Sequence, residues 1–207
     1  MRYRYHFWTA TRATSKSFTA YLSAMMRAVL LPNSTIMIAS DVKGTVIKIA
    51  EAKFEEIFRH WPLLRKELAT RADDGKTGIK SSNNYYELKL KNGSSITVVS
   101  KDTSRGLRAT AAIIEECALV DETSYTEVLV PQMNIKRREI DGTINVDEPS
   151  SPQTYITTAA ERTVFMYSKL IECAVNMVLR PDEYFVWGLS YITPLKYGLL
   201  DKAALMD

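Results

Sequence analysis

Short runs of β-branched and apolar residues alternate, from one end of the chain to the other, with longer stretches whose apolar residues recur at helical spacing. Arg4 to Thr9 is aromatic and β-branched, and after Ser17 the period changes, with Phe18, Tyr21, Leu22, Met25, Met26 and Val29 three or four apart. Pro32-Asn33 closes that helix. Thr35 to Ala39 is a second β-rich run, and Val46, Ile49, Ala50, Phe54 and Ile57 mark a second helix ending at Trp61-Pro62. Strand and helix in alternation argue for an α/β fold with a mainly parallel sheet and helices on both faces.

The middle of the chain adds local detail. Arg71 to Asn84 is polar and reads as a surface loop. It leads into two alternating segments, Tyr85 to Lys91 and Ser94 to Ser100, joined at Asn92-Gly93 as an inserted β-hairpin. An odd-length connection puts Leu88 and Leu90 on the same face as Ile96 and Val98. Ala109 to Ile114 is continuously apolar, as a buried parallel strand is, and ends in Glu115-Glu116. A helix is expected over Cys117 to Leu129, then a polar loop or hairpin from Asn134 to Gln153, a strand over Thr154 to Thr158, a helical stripe between Ala160 and Leu179, and a strand over Tyr184 to Leu189.

Composition narrows the class. With 207 residues, 46% hydrophobic and 25% charged, the chain reads as one globular domain able to bury a core without disulfides or structural metal. The 27 basic against 24 acidic side chains leave +3, too little to name a nucleic-acid partner from field strength. Cys117 and Cys173 lack disulfide or zinc spacing, which suits a reducing cytoplasm, and His6 and His60 have no neighbouring cysteines for a metal site. The N-terminus has no apolar signal region, and no uninterrupted apolar run is long enough to span a membrane.

Three clusters carry chemistry. Between the first strand and first helix stands Ala10-Thr11-Arg12-Ala13-Thr14-Ser15-Lys16-Ser17, where a phosphate-binding loop reads GxxxxGK[ST]. Only Lys16-Ser17 survives literally. Backbone N–H groups at a helix N-terminus still favour an anion, Lys16 can neutralise β- and γ-phosphates, and the Ser17 hydroxyl can ligate Mg2+. A left-handed Ser15 costs about 1–2 kcal/mol in such a loop. The same eight residues also suit an ordinary helix cap.

The second cluster is Glu115-Glu116 at the carboxyl end of an apolar strand, where open α/β sheets bind ligands. One acid can hold Mg2+ while the other orients an attacking water; both also suit the first turn of a helix, where negative charge is favoured. The third is Thr157-Thr158, ending a later strand, within reach of a γ-phosphate at the same sheet edge, although threonine is common in strands for its own sake. Lys136-Arg137-Arg138 is a possible DNA contact diluted by Glu139, Asp141, Asp147 and Glu148.

The order Arg12-x-x-x-Lys16-Ser17, then Ser104-Arg105-Gly106-Leu107-Arg108 ahead of Ile113-Ile114-Glu115-Glu116, then Ile156-Thr157-Thr158-Ala159, resembles the packaging ATPase of tailed-phage terminase large subunits over most of the chain. The resemblance implies a P-loop NTPase of the RecA-like (ASCE) type, with residues 1–207 one ATPase domain cut from a longer large subunit and the nuclease domain absent. Its Walker A loops are often poor in glycine and carry an arginine four residues before the lysine, as Arg12 stands here. It makes Thr11, Arg12, Ala13, Thr14, Ser15, Lys16 and Ser17 the nucleotide loop, Ser17 and Glu115 the Mg2+ ligands, Glu116 the catalytic carboxylate, and Thr157-Thr158 the coupling motif; Arg12 and Lys16 join Glu116 in catalysis.

The implied reaction is Mg-ATP hydrolysis driving double-stranded DNA into a procapsid. It would occur in the host cytoplasm and at the portal vertex, in a homo-oligomeric ring partnered by the portal and the small terminase subunit and with no membrane. Glu115 departs from the commoner Asp, and the family's upstream adenine-binding segment is expected to be missing or replaced by Tyr3, Tyr5 and their neighbours. Arg105 and Arg108 are candidates for a phosphate or DNA contact. Two rival functions remain, another RecA-like DNA-dependent ATPase such as a helicase or recombination motor, and a non-catalytic remnant acting as a binding or assembly module.

Overall fold

The computed structural model describes residues 3–40, 45–70, 75, 77–83, 85–100, 106–158 and 161–201. Its strands are β1 (Tyr5–Ala10), β2 (Thr35–Ser40), β3 (Ile79–Ser82), β4 (Tyr85–Lys89), β5 (Ser95–Ser100), β6 (Ala111–Glu115), β7 (Gln153–Thr157) and β8 (Tyr184–Leu189). The helices are α1 (Lys16–Leu30), α2 (Thr45–His60), α3 (Pro62–Arg65), α4 (Val130–Gln132), α5 (Phe165–Leu179) and α6 (Ile192–Lys196). One eight-stranded sheet runs β3-β4-β5-β2-β6-β7-β1-β8, parallel from β5 to β8 and antiparallel across β3-β4-β5.

Strand periodicity sorts the core onto two faces. Ala111 and Ile113 of β6 point to the same side as Ile156 of β7, packing with Tyr21 and Met25 of α1 and Phe54 and Ile57 of α2. Ala112 and Ile114 point the other way, with Phe7, Tyr155 and, from α5, Met166 and Cys173. Helices on both faces match the sequence expectation. Both cysteines are buried and free, and desolvation pushes the Cys173 thiol up to about 11.

The hairpin expectation holds in its register. Leu88 faces Ile96 and Tyr86 faces Val98, so both apolar sets share one face. The turn closes through Gly93 at φ 82°, a left-handed backbone that glycine adopts without strain. The expected loop before it contains a strand instead, since β3 pairs with β4 as a short outer strand and makes a three-stranded meander. Its Lys80, Ser81 and Ser82 are polar, as suits an edge facing solvent.

The helix expected over Cys117 to Leu129 is broken. A 3-10 turn spans Cys117–Leu119, and helix resumes only beyond Asp121, with a π-helical stretch over Ser124–Leu129 continuing into α4. Asp121 ends the first piece and caps the second, accepting from Ser124 N–H at 2.8 Å and from the Ser124 hydroxyl at 2.7 Å. Residues 134–152 contain no strand. They are held by Arg137, which is buried rather than available to DNA, donating to Glu139, to Glu148 and, at 2.9 Å, to the Pro32 carbonyl. Glu148 also accepts from Arg27 of α1, so one carboxylate ties two buried guanidiniums together. No helix among the described residues is long and apolar enough to cross a membrane.

Candidate functional site

All six parallel strands direct their carboxyl ends to one edge of the sheet. There β1 hands over to the loop 11–15 and α1, β6 ends in Glu115, and β7 ends in Thr157, which faces Thr9 across the ladder. Only β7 separates the loop strand from the acid strand. The three clusters singled out in the sequence therefore meet at one rim.

The loop takes its shape without glycine. Ala13 at φ 61° and Ser15 at φ 55° are both left-handed, and the Thr14 hydroxyl closes the bend by donating to the Thr11 carbonyl at 2.7 Å. Helix α1 starts at Lys16 with the Thr19 N–H donating to the Ser15 carbonyl, and no side chain caps its first turn. The free N–H groups of that turn are thus left for an anion rather than for a capping oxygen, against the helix-cap alternative. Lys16 is 9% exposed, Ser17 half-buried and Arg12 exposed. A cleft of about 470 Å³ opens over the loop and is completed from α2 by Lys53, Glu56 and His60. Lys53 donates to Glu56 at 2.9 Å and lies 5.9 Å from the Phe18 ring centroid.

Glu115 is 5% exposed, and its place in β6 gives it the same side as Ala111 and Ile113, toward α1. There the Tyr21 hydroxyl donates to Glu115 Oε2 at 2.7 Å. Burial, followed by the Glu115 charge, pushes the Tyr21 phenol well above its ordinary value, so it remains a donor. Tyr21 is one helical turn beyond Ser17, about 6 Å along the axis and on the same face, so the hydroxyl and the carboxylate share the α1–β6 seam. Glu116 follows in a left-handed conformation at φ 48° and is half-buried. The backbone turn, rather than simple strand alternation, separates the two acids.

The two threonines divide. Thr157 has the parity of Tyr155, toward α5, and its hydroxyl donates to the Thr158 carbonyl at 2.9 Å. Thr158 lines a cleft of about 450 Å³ together with Thr11 and Arg12, on the other side of the loop from α2. Ser104, Arg105 and Ala159 lie outside the described residues, and Arg108 is exposed.

The donor set suits a metal that arrives with phosphates. No group of three or more His, Cys, Asp or Glu side chains able to hold an ion occurs among the described residues. One hydroxyl and one carboxylate along a seam are what Mg2+ needs from a protein when substrate oxygens and water complete the octahedron. Sequence reasoning missed Tyr21, counted as core, and Lys53 and His60, which only the packing of α2 brings to the loop. The one available signal was the i,i+4 spacing of Ser17 and Tyr21.

Tyr3 and Tyr5 do not reach this rim. Tyr5 opens β1, five residues and about 17 Å of strand from Ala10, Tyr3 lies two residues further back, and they stack on Tyr184 and Phe185 with ring centroids 4.7 and 5.2 Å apart respectively.

The fold is that of phage terminase ATPase domains. The large terminase of bacteriophage HK97 superposes with a TM-score of 0.63 at 13% identity, over 90% of this chain and 35% of that one. The large terminase ATPase domain of Thermus phage P74-26 gives 0.62 at 13% identity, over 95% and 81%. The large terminase of a thermophilic bacteriophage, in complex with ADP, gives 0.59 at 12% identity, over 97% and 43%. The chain thus spans about a third of the length of the HK97 protein. No protein-family model and no curated protein sequence matches the chain.

Proposed function

We propose that the chain is a Mg-ATP-hydrolysing motor domain that couples phosphoanhydride cleavage to movement of double-stranded DNA into a viral procapsid. The observation that carries it is the shared rim: a lysine loop with uncapped N–H groups on β1, Glu115-Glu116 on β6, and Thr157-Thr158 on the one strand between them. The terminase ATPase fold supports the choice of DNA packaging over a helicase or recombination motor.

In this reading the backbone of residues 11–17 cradles the phosphates, and Arg12 and Lys16 stabilise charge on them. Ser17 and Glu115 would hold Mg2+, which would supply positive charge to offset that of the phosphate oxygens. Glu116 orients water for in-line attack on the γ-phosphorus, breaking the bond to the bridging oxygen and releasing ADP and phosphate. Thr158, beside Arg12, senses the γ-phosphate, and Thr157 passes the change to α5. Double-stranded DNA, the portal, the small terminase subunit and further copies of the chain in a ring are the partners, in the host cytoplasm and at the procapsid portal vertex.

The test is phosphate release from Mg-ATP by the chain, with and without linear duplex or single-stranded DNA, alongside Lys16→Ala and Glu116→Ala. Both variants are expected to keep the fold and lose turnover; unchanged turnover in either removes that residue's role. Failure of the wild type to bind Mg-ATP at millimolar concentration, with DNA present, would leave a non-catalytic assembly module as the function. Stimulation by single strands with unwinding would instead favour a helicase.

A further inference from the structure

Three cations, Arg12, Lys16 and Lys53, line the cleft over the loop against the single carboxylate of Glu56. The imbalance is sharpest at Lys16, which is 9% exposed and has no ion-pair or hydrogen-bond partner among the described residues. A covered ammonium without an acceptor calls for an anion from outside the fold. Arg12 and Lys16 belong to the loop and already serve the phosphates in the proposed function. Lys53 comes from α2, 37 residues after Lys16, and has no part in it.

The helix period brings Lys53 to the cleft. Val46, Ala50, Phe54 and Ile57 are the buried stripe of α2, and Lys53, Glu56 and His60, three and four residues apart, lie beside that stripe on the side turned to the loop. Lys53 Nζ is 5.9 Å from the ring centroid of Phe18, in the first turn of α1, and that ring is stacked on Trp61 with centroids 6.3 Å apart. The ammonium is therefore held between the two helices, where it donates to Glu56 Oε2 at 2.9 Å.

We infer that Lys53 is a further phosphate-contacting residue of the nucleotide site, which leaves Glu56 for the phosphate chain when nucleotide binds. The inference rests on the nucleotide-binding function proposed above. Little opposes the exchange. The side chains of Lys53 and Glu56 are 33% and 35% exposed, and an ion pair so open to water contributes little. Glu56 is not stranded by it: the bond from Lys53 holds its carboxyl below the ordinary range, and the charges of Arg59 and His60 act in the same direction. A polyphosphate offers the ammonium more charge and more acceptor oxygens than one carboxylate does.

The experiment titrates the chain with Mg-ATP and, separately, with Mg-tripolyphosphate, which carries the phosphates without a base. Lys53→Met keeps the apolar stem against Phe18 and removes the charge. It is expected to weaken both ligands about ten-fold, the scale of one hydrogen bond to a charged group. Lys53→Arg is expected to bind both as the wild type does, and Glu56→Gln, which removes the competing carboxylate, to bind both up to about five-fold more tightly. Unchanged affinity in Lys53→Met overturns the inference and leaves the phosphate loop standing. Equal weakening in Lys53→Met and Lys53→Arg overturns it too, because it shows packing at Phe18 rather than charge. Weaker binding in Glu56→Gln overturns the exchange, because the ion pair would then be scaffolding for the cleft. If the wild type binds neither ligand, the nucleotide-binding function itself fails and takes the role of Lys53 with it.

Discussion

The hydroxyl of Tyr21 donates a 2.7 Å hydrogen bond to Oε2 of Glu115, joining the second turn of α1 to the carboxyl end of β6 across 94 positions of sequence. A glutamate reaches one methylene further than an aspartate, and here one oxygen of the longer side chain is held by the phenol. In the proposed function the other oxygen is the one that would ligate Mg2+.

Tyr21→Phe removes that donor and leaves a buried carboxylate oxygen unpaired, at a cost of about 1–3 kcal/mol. Urea unfolding should show this loss. If Glu115 serves Mg2+, hydrolysis by the variant should also require several-fold more free Mg2+ for half-maximal rate. An unaltered Mg2+ requirement would make the bond a packing feature only.

Ser15→Gly should stabilise the protein. Leaving the left-handed region to glycine relieves about 1–2 kcal/mol, while the added freedom of the unfolded chain takes back about 0.4–1 kcal/mol. A net gain of up to about 1.5 kcal/mol should appear as a higher urea midpoint, whereas Ser15→Val should lower it.

Glu148→Ala should be among the most destabilising substitutions outside the candidate site. It strands the guanidinium of Arg27 and takes one of two carboxylates from Arg137, which keeps Glu139; their side chains are 3% and 2% exposed. Breaking a buried pair from one side costs about 3–5 kcal/mol. Arg138→Ala, at an exposed neighbour, should shift stability by no more than about 0.5 kcal/mol; comparable losses in both variants would contradict the buried cluster.

His6 introduces an acid sensitivity. It is buried and donates from Nε2 to the Tyr3 carbonyl at 3.2 Å, and desolvation pulls its pKa below 6.5. The folded imidazole then stays neutral where the unfolded one takes a proton. Its contribution is intact above pH 6.5 and declines as pH falls below that value, by at most about 1.4 kcal/mol per pH unit. Stability measured at pH 7.0 and 5.5 should therefore differ less in His6→Gln than in the wild type.

Much of the architecture was legible because period and burial agree. Ala111 to Ile114 is apolar on both faces and is a central parallel strand, and the 184–189 expectation coincides with β8. β3 was not legible: Ile79 to Ser82 is a polar outer strand whose pairing with β4 supplies what its own residues do not. The break after Cys117 was missed because Asp121 acts through a side-chain cap, while the helical spacing of the apolar residues continues past it. In the candidate site, Lys16, Ser17, Glu115 and the threonines could be placed on one rim from strand order. The Tyr21–Glu115 bond and the β8-side cleft arise from the lateral register of distant segments, which composition and spacing do not encode.

With β7 between β1 and β6, the cation and the acid are second neighbours in the sheet, and the ribbon separating them is hydrogen-bonded along both flanks. Any widening or closing of the gap between loop and carboxylate is consequently a shear on that ribbon. In the proposed function, Thr157 at the tip of that ribbon would be the residue to feel such a shear.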